Sequence, residues 1–440
     1  MTKNIKYILL LILFPAITLT AQENQQDSLT FTDIISEVFN NYPTFKKAEK
    51  DLVAVDAKIG LAKTAYLPNV DFSSSYSRIG PTSSITMPIN GENHTFSLYP
   101  ENVYNAKVSV NEDIYDFGKT AKNVEFAQKN KDLVLLTVEQ AKQQISMAVT
   151  ANYYSINFLQ EAISIKNEQL KTLNEHLQYV QKKANTGSAT NYDILTTKVR
   201  ISEIENQITD LQTSLDVQSA QLNSFLGKPA QSPVLLKKIT FSNALIASAD
   251  SLCNTAYNNR SEMKLAMQKE EIAKSRLAVV KAQNNPSLNV FASGGYKNGY
   301  FNENLQDVGK MNFAVGVGLK VPIFDANRSK YSKIQANAEL EGNEQETELA
   351  RRNITNEVIE NRANALSAIK KIKRSELQLH QARQAYELAE VNYKAGAITN
   401  LDLLDNYTSL AQSKLMFFKA KIDYEVNMQK LKISIGEKIY

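Results

Sequence analysis

Cysteine is nearly absent: Cys253 is the only one in 440 residues. A lone thiol excludes an internal disulfide, and its distance from the N-terminus argues against a lipid attached at a leader cleavage site. Histidine is scarce as well. His94, His176 and His380 stand far apart without paired-ligand spacing, so no metal is expected. Charge of one sign is also lacking. The formal net charge is +4, part of it from Lys3 and Lys6 near the start, which gives no support to nucleic-acid binding. Gly316 and Gly318 fall inside a strand pattern, outside the strand–turn–helix context that cradles phosphate. No nucleophile–base arrangement is visible, so neither an enzyme nor a cofactor is expected. Beyond the first residues no apolar run reaches the length of a membrane helix. A shorter apolar run, Ile8 to Ile17, follows Lys3 and Lys6 and precedes Ala21 and a polar stretch. It reads as a secretory signal peptide over 1–21. The mature chain is thus expected to be exported without a helical anchor.

Helix breakers are missing from long stretches. No proline occurs between Pro100 and Pro229 or after Pro322, and no glycine interrupts Lys119 to Thr186. Apolar positions there recur at alternating spacings of four and three: Val134, Val138, Ala141, Ile145, and later Leu170, Leu173, Leu177, Val180, Ala184. The seam resumes through Ile201, Ile204, Ile208, Leu211 and Leu215. A repeat averaging 3.5 residues over so many turns predicts coiled-coil packing of long helices. The C-terminal half carries a similar seam from Leu403 through Tyr407, Leu410, Phe417, Tyr424 and Leu431, while Gly342, Arg362 and Glu376 blur it earlier.

Between these helices the period changes to two. Phe313, Val315, Val317, Leu319 and Val321 alternate with small or polar residues, as do Leu288, Val290 and Ala292. Ala106, Val108 and Val110 face away from Lys107, Ser109 and Asn111. Strands are predicted at about 68–77, 103–115, 286–296 and 312–324. One apolar and one polar face at this length fit a membrane barrel with lipid outside and water inside. Tyr76, Tyr104, Tyr296 and Phe313 would mark one interface, and Tyr115 and Phe324 the other. The segment from Arg78 to Asn102 is expected to be an outer loop. A soluble sandwich edge is the alternative. Four strands cannot close a barrel, and open edges cannot stand in hydrocarbon, so a pore requires several chains.

The pattern occurs twice. Gly187, Thr190, Asn191, Asp193 and Leu195 match Gly396, Thr399, Asn400, Asp402 and Leu404 at one offset, which also aligns Asp116 with Asp325 and Gly227 with Gly436. A unit of roughly 200 residues is duplicated. The first copy covers 22–227 with a helical hairpin at 118–227, a linker covers 228–248, and the second copy covers 249–440 with a hairpin at 326–436.

These passages carry a resemblance. VPIFDANRSK from Val321, its partner DIYDFGKT from Asp113, and the tips TGSATNYDIL from Thr186 and YKAGAITNLDLLD from Tyr393 resemble the TolC family of outer-membrane efflux proteins. The resemblance implies a homotrimer forming a 12-stranded β-barrel that continues into a periplasmic α-helical tunnel. It also implies an exit duct in the outer-membrane lipid, served by an inner-membrane pump and a periplasmic adaptor (membrane fusion) protein. The runner-up is a periplasmic adaptor or structural coiled-coil protein, which would share exported hairpins but not the paired membrane-type strands.

Residue by residue, the resemblance places Asp402 and Asp405 at the periplasmic constriction and pairs Tyr393 with Asp193. Gly187, Ser188, Ala189, Thr190, Gly396, Ala397, Ile398 and Thr399 form the tips that meet the adaptor. Ile398 stands where the family's best-characterised gate has an arginine, so apolar packing is expected to share in closure. Each residue also has a plainer reading. Asp116 and Asp325 suit helix caps, as do Thr190 or Asn191 and Thr399 or Asn400. Gly187 and Gly396 suit helix ends, and Asp402 and Asp405 suit solvated acids favoured by a helix dipole.

Overall fold

The computed structural model describes residues 29–89, 91–237, 239, 241, 245–303 and 306–438; the expected signal peptide lies outside them. Helices α1 (Phe31–Asn41) and α2 (Pro43–Lys63) lead into β1 (Asn69–Arg78), β2 (Ser84–Ile89), β3 (Glu92–Ser97) and β4 (Asn102–Tyr115). Helices α3 (Lys119–Asn185) and α4 (Asn191–Leu226) follow. The order then recurs: α5 (Ala249–Asn259), α6 (Ser261–Ala282), β5 (Ser287–Phe301), β6 (Asp307–Lys320), α7 (Arg328–Lys394) and α8 (Asn400–Ser434). Helices α3 and α7 each contain 67 residues, which at about 1.5 Å per residue is about 100 Å. Gly342 does not interrupt α7; its cost is spread over a long helix held by packing.

Local sequence explains the helix starts. Thr30 caps α1 with a reciprocal capping box to Asp33, and Pro43 opens α2, where its missing N–H costs nothing. The short helices do core work. Ile34, Ile35 and Val38 of α1 pack with Val149, Tyr153 and Ile156 of α3, Leu222 and Leu226 of α4, and Ile422 of α8. Val234, Leu236, Ile239 and Phe241 lie against the same cluster, and Leu29 bridges to Leu236. The stretch expected as a linker is therefore partly a packed strap, because four apolar side chains in it gain by leaving water.

The four long strands form one antiparallel sheet in the order β1-β4-β5-β6, with β1 and β6 as its edges. Register sorts the faces. Phe72 pairs with Val108, Val110 with Ala292, Val290 with Val317 and Ala292 with Val315 on one face. Asp71 pairs with Ser109, Ser109 with Ser293, and Asn289 with Gly318 on the other. Phe313, Val315, Val317 and Leu319 remain 66–86% exposed, a contiguous apolar band that no described residue covers. Gly316 lies under the Phe291 ring, where a Cβ would come within 2.4 Å of it, so this glycine makes room for an aromatic cover. The outer segment between β1 and β4, expected as loop, contains the β2–β3 hairpin. Strand β6 ends at Lys320 rather than at 324, since Pro322 has no N–H for a ladder. Strand β5 runs on to Phe301 past an irregularity between Lys297 and Tyr300.

Both strand-to-helix joints use the same device. Phe117 and Gly118 in one, Ala326 and Asn327 in the other, take positive φ. The Asp116 carboxylate accepts N–H groups of Gly118 and Thr120 at 3.0 and 2.6 Å; Asp325 accepts Ser329 N–H at 2.9 Å and Asn284 Nδ2 at 2.7 Å. Burial pushes the Asp116 carboxyl up, but these hydrogen bonds outweigh it and hold it below the usual range. Asn284 above all, with Ser329, holds Asp325 at about 2. Both aspartates accept N–H groups at the helix start as expected, but from two residues before the caps, which are Gly118 and Asn327 and make no side-chain cap bond.

Candidate functional site

The two tips are built by the same local chemistry. Helix α3 stops at Gly187, whose φ of 73° only glycine adopts without strain, and Ser188 N–H returns to Lys183 O at 2.8 Å. Helix α7 stops at Gly396 with φ 75°, and Ala397 N–H returns to Asn392 O at 2.8 Å. Thr190, not Asn191, caps α4: its N–H and Oγ1 both donate to Asp193 Oδ2 at 2.8 Å. Thr399, not Asn400, caps α8, with N–H and Oγ1 donating to Asp402 Oδ2 at 2.9 and 2.6 Å. The reverse bonds, from Asp193 N–H and Asp402 N–H to the threonine hydroxyls, are both 3.2 Å. Each is a complete capping box.

Asp402 and Asp405 sit one turn apart on α8 and both are exposed. The bonds from Thr399 hold the Asp402 carboxyl below its ordinary value. Asp405 Oδ1 accepts Arg200 Nη2 at 2.9 Å, while Arg200 Nη1 donates to Glu203 at the same distance. The pair ties α4 to α8 just behind the tips. Asp405 is 56% exposed, so the pair is screened and contributes little stability; its value is positional.

The asparagine that does not cap has another role. Asn400 is 3% exposed; its Nδ2 donates to Asp193 O and Thr197 Oγ1 at 3.2 Å, and its Oδ1 meets His176 Nε2 at 2.7 Å. One side chain thus joins α3, α4 and α8. Burial holds His176 below its ordinary value, which favours the neutral ring, and Asn400 Oδ1, an acceptor, selects the tautomer with Nε2–H. Tyr393 at the end of α7 packs against His176 with ring centroids 5.4 Å apart, and Lys183 Nζ lies 4.9 Å over its ring. No hydrogen bond links Tyr393 to Asp193 among the described residues. Burial first, then the Asp193 charge, push the Tyr393 hydroxyl up. Ile398 packs with Ala389, Tyr393 and Leu403, so the position without arginine is filled apolarly.

Sequence reasoning did not find Arg200, His176 or the bridging role of Asn400. Arg200 does carry a signal: it stands two turns beyond Asp193, with Glu203 at i+3 on its own face. His176 carries none.

Comparison with known proteins agrees with this architecture. The family model described as "Outer membrane efflux protein" matches residues 34–228 and 252–437. Alkaline protease secretion protein AprF of Pseudomonas aeruginosa is 23% identical over 90% of this chain and 82% of its own length. Outer membrane protein TolC of Escherichia coli is 20% identical over 90% of this chain and 79% of its own. The crystal structure of outer membrane protein VceC from Vibrio cholerae shares the fold with a TM-score of 0.75 at 18% identity, covering 93% of this chain and 97% of that one. The open MtrE channel of Neisseria gonorrhoeae also gives 0.75, at 17% identity, covering 92% and 89%. The two matched segments take in both tips, both strand pairs and all the long helices, and the chain belongs to the outer membrane efflux protein family.

Proposed function

We propose that this chain is the outer-membrane exit duct of a tripartite efflux or type I secretion system. Three copies would close a barrel of twelve strands, four from each, with β6 of one chain against β1 of the next. The carrying observation is the sheet itself: an apolar face, a polar face and two unpaired edges, continuous with helices long enough to cross much of the periplasm. In a bilayer those edges need partners, and another copy supplies them without breaking register. Cargo then moves passively, delivered by an inner-membrane pump through an adaptor docked at residues 187–190 and 396–399.

In this reading Asp402 and Asp405 form acidic rings at the tunnel's closed end. Thr399 and Arg200 aim one oxygen of each, leaving Asp402 Oδ1 and Asp405 Oδ2 without protein partners among the described residues. Acidic rings hold cations. The test is planar-bilayer recording of the purified protein. Wild type should conduct in discrete steps blocked by divalent and trivalent cations added from the tip side. Asp402→Ala with Asp405→Ala should abolish that block and keep the conducting species, whereas Ala at Asp116 and Asp325 should leave the block unchanged. Undiminished block in the double variant would remove the gate role from both aspartates.

A further inference from the structure

The polar face of the sheet is not uniformly polar. Lys107, Lys297 and Lys310 gather toward the end carrying the outer turns, away from the helices. Lys297 stands directly opposite Lys310 in the β5–β6 ladder, and two residues further in, on the same face, Lys107 stands opposite Gly295. Gly295 allows this: a Cβ there would come within 2.7 Å of Lys107 Cβ. All three side chains are exposed, and none has a carboxylate partner among the described residues. Asp71 and Asp113, the acids of this face, lie toward the helices, opposite Ser109 and Asn289. Asp307 belongs to the alternate register, where it accepts Gly299 N–H and Asn298 Nδ2. Arg78 and Glu101 at the margin pair with each other at 3.2 Å.

Like charges directly across a strand pair disfavour folding. Among the described residues the local relief is Tyr300, whose ring lies 5.4 Å from Lys297 Nζ and 5.9 Å from Lys310 Nζ. Stability alone would not select this arrangement. We infer that these lysines form an anion-binding ring in the outer part of the lumen, which favours anionic cargo and multivalent anions over cations. The inference rests on the exit-duct reading, which turns the polar face inward and brings three sets of lysines around one water-filled bore. Rings of lysine select anions, and the low-dielectric wall of a narrow bore concentrates the field. The duct then carries opposite charge at its two ends, acidic at the tips and basic near the exit, so that cations leaving the gate find no second site.

The probe is inorganic tripolyphosphate, with binding followed by calorimetry on the detergent-solubilised protein and block followed in planar bilayers. Tripolyphosphate added on the side of the outer turns should block wild-type current. The triple variant Lys107→Gln, Lys297→Gln, Lys310→Gln should bind and be blocked about tenfold more weakly or worse. Lys320→Gln, at the opposite end of the same face, should change neither. Equal block in the triple variant, or conducting wild-type channels insensitive to tripolyphosphate, would overturn the ring. Purified, folded protein that never conducts would overturn the duct reading, and this inference with it.

Discussion

The two tips share a sequence pattern, a glycine stop and a capping box, yet they sit in different surroundings. Leu404 is 2% exposed, in a cluster with Leu173, Ile201 and Ile204, whereas its counterpart Leu195 is 60% exposed. Asn400 is buried and bridges three helices, whereas Asn191 is exposed. Tyr192, Leu195 and Val199 leave the first tip with an exposed apolar face that has no partner among the described residues. Duplication preserved what a turn needs from its immediate neighbours. It did not preserve what each turn packs against, because the second tip folds onto the first while the first faces outward. The second tip is the anchored one, and the first leaves its apolar side chains exposed.

Substitutions at paired positions test this asymmetry. Leu404→Ala empties a packed site and should cost about 2–5 kcal/mol, while Leu195→Ala should stay within about 0.5 kcal/mol. Thermal melting by circular dichroism in detergent measures both, and equal costs would erase the distinction. Next in size is Asn400→Ala, which leaves buried His176 Nε2 without its partner and removes one of the donors to the Asp193 carbonyl, which keeps Thr196 and Thr197. A loss of about 1–3 kcal/mol is expected, against almost none for Asn191→Ala. Hydrogen exchange at the start of α8 reports it directly: faster exchange in the first variant only.

The smallest effect is pH dependence. Burial depresses His176 below its ordinary value of 6.5, with Asp193, Lys183, Tyr179 and Tyr393 among the titratable groups facing it. The folded tip therefore prefers neutral imidazole. Its contribution is fully present above about pH 6.5 and declines as pH falls toward the depressed folded value, because the unfolded tip takes up a proton first. Protection factors at residues 394–404, which remove the intrinsic pH dependence of amide exchange, should be lower at about pH 5.5 than at about pH 7.5, and His176→Gln should flatten that difference. A difference that persists in the variant would assign the effect elsewhere.

How much of this was legible in sequence follows from range. Gly187, Thr190 and Asp193, with their second copies, act within a few residues, so spacing alone revealed both turns. The strand faces were legible because period two sorts Val315 from Gly316 before any partner is known. The Arg200–Asp405 bond spans 205 residues, and the His176–Asn400 bond spans 224; no local pattern encodes either. The strap around Leu236 and the β2–β3 hairpin were missed for a similar reason. Short apolar or mixed stretches acquire structure from what they lie against.

The most direct test of the whole arrangement is the native mass of the folded protein extracted in mild detergent. A sheet with free edges at β1 and β6 cannot stand alone in hydrocarbon, so particles of three chains are expected, with no stable monomer. A homogeneous, folded monomer that keeps its strand content would contradict the closed barrel, and with it the duct.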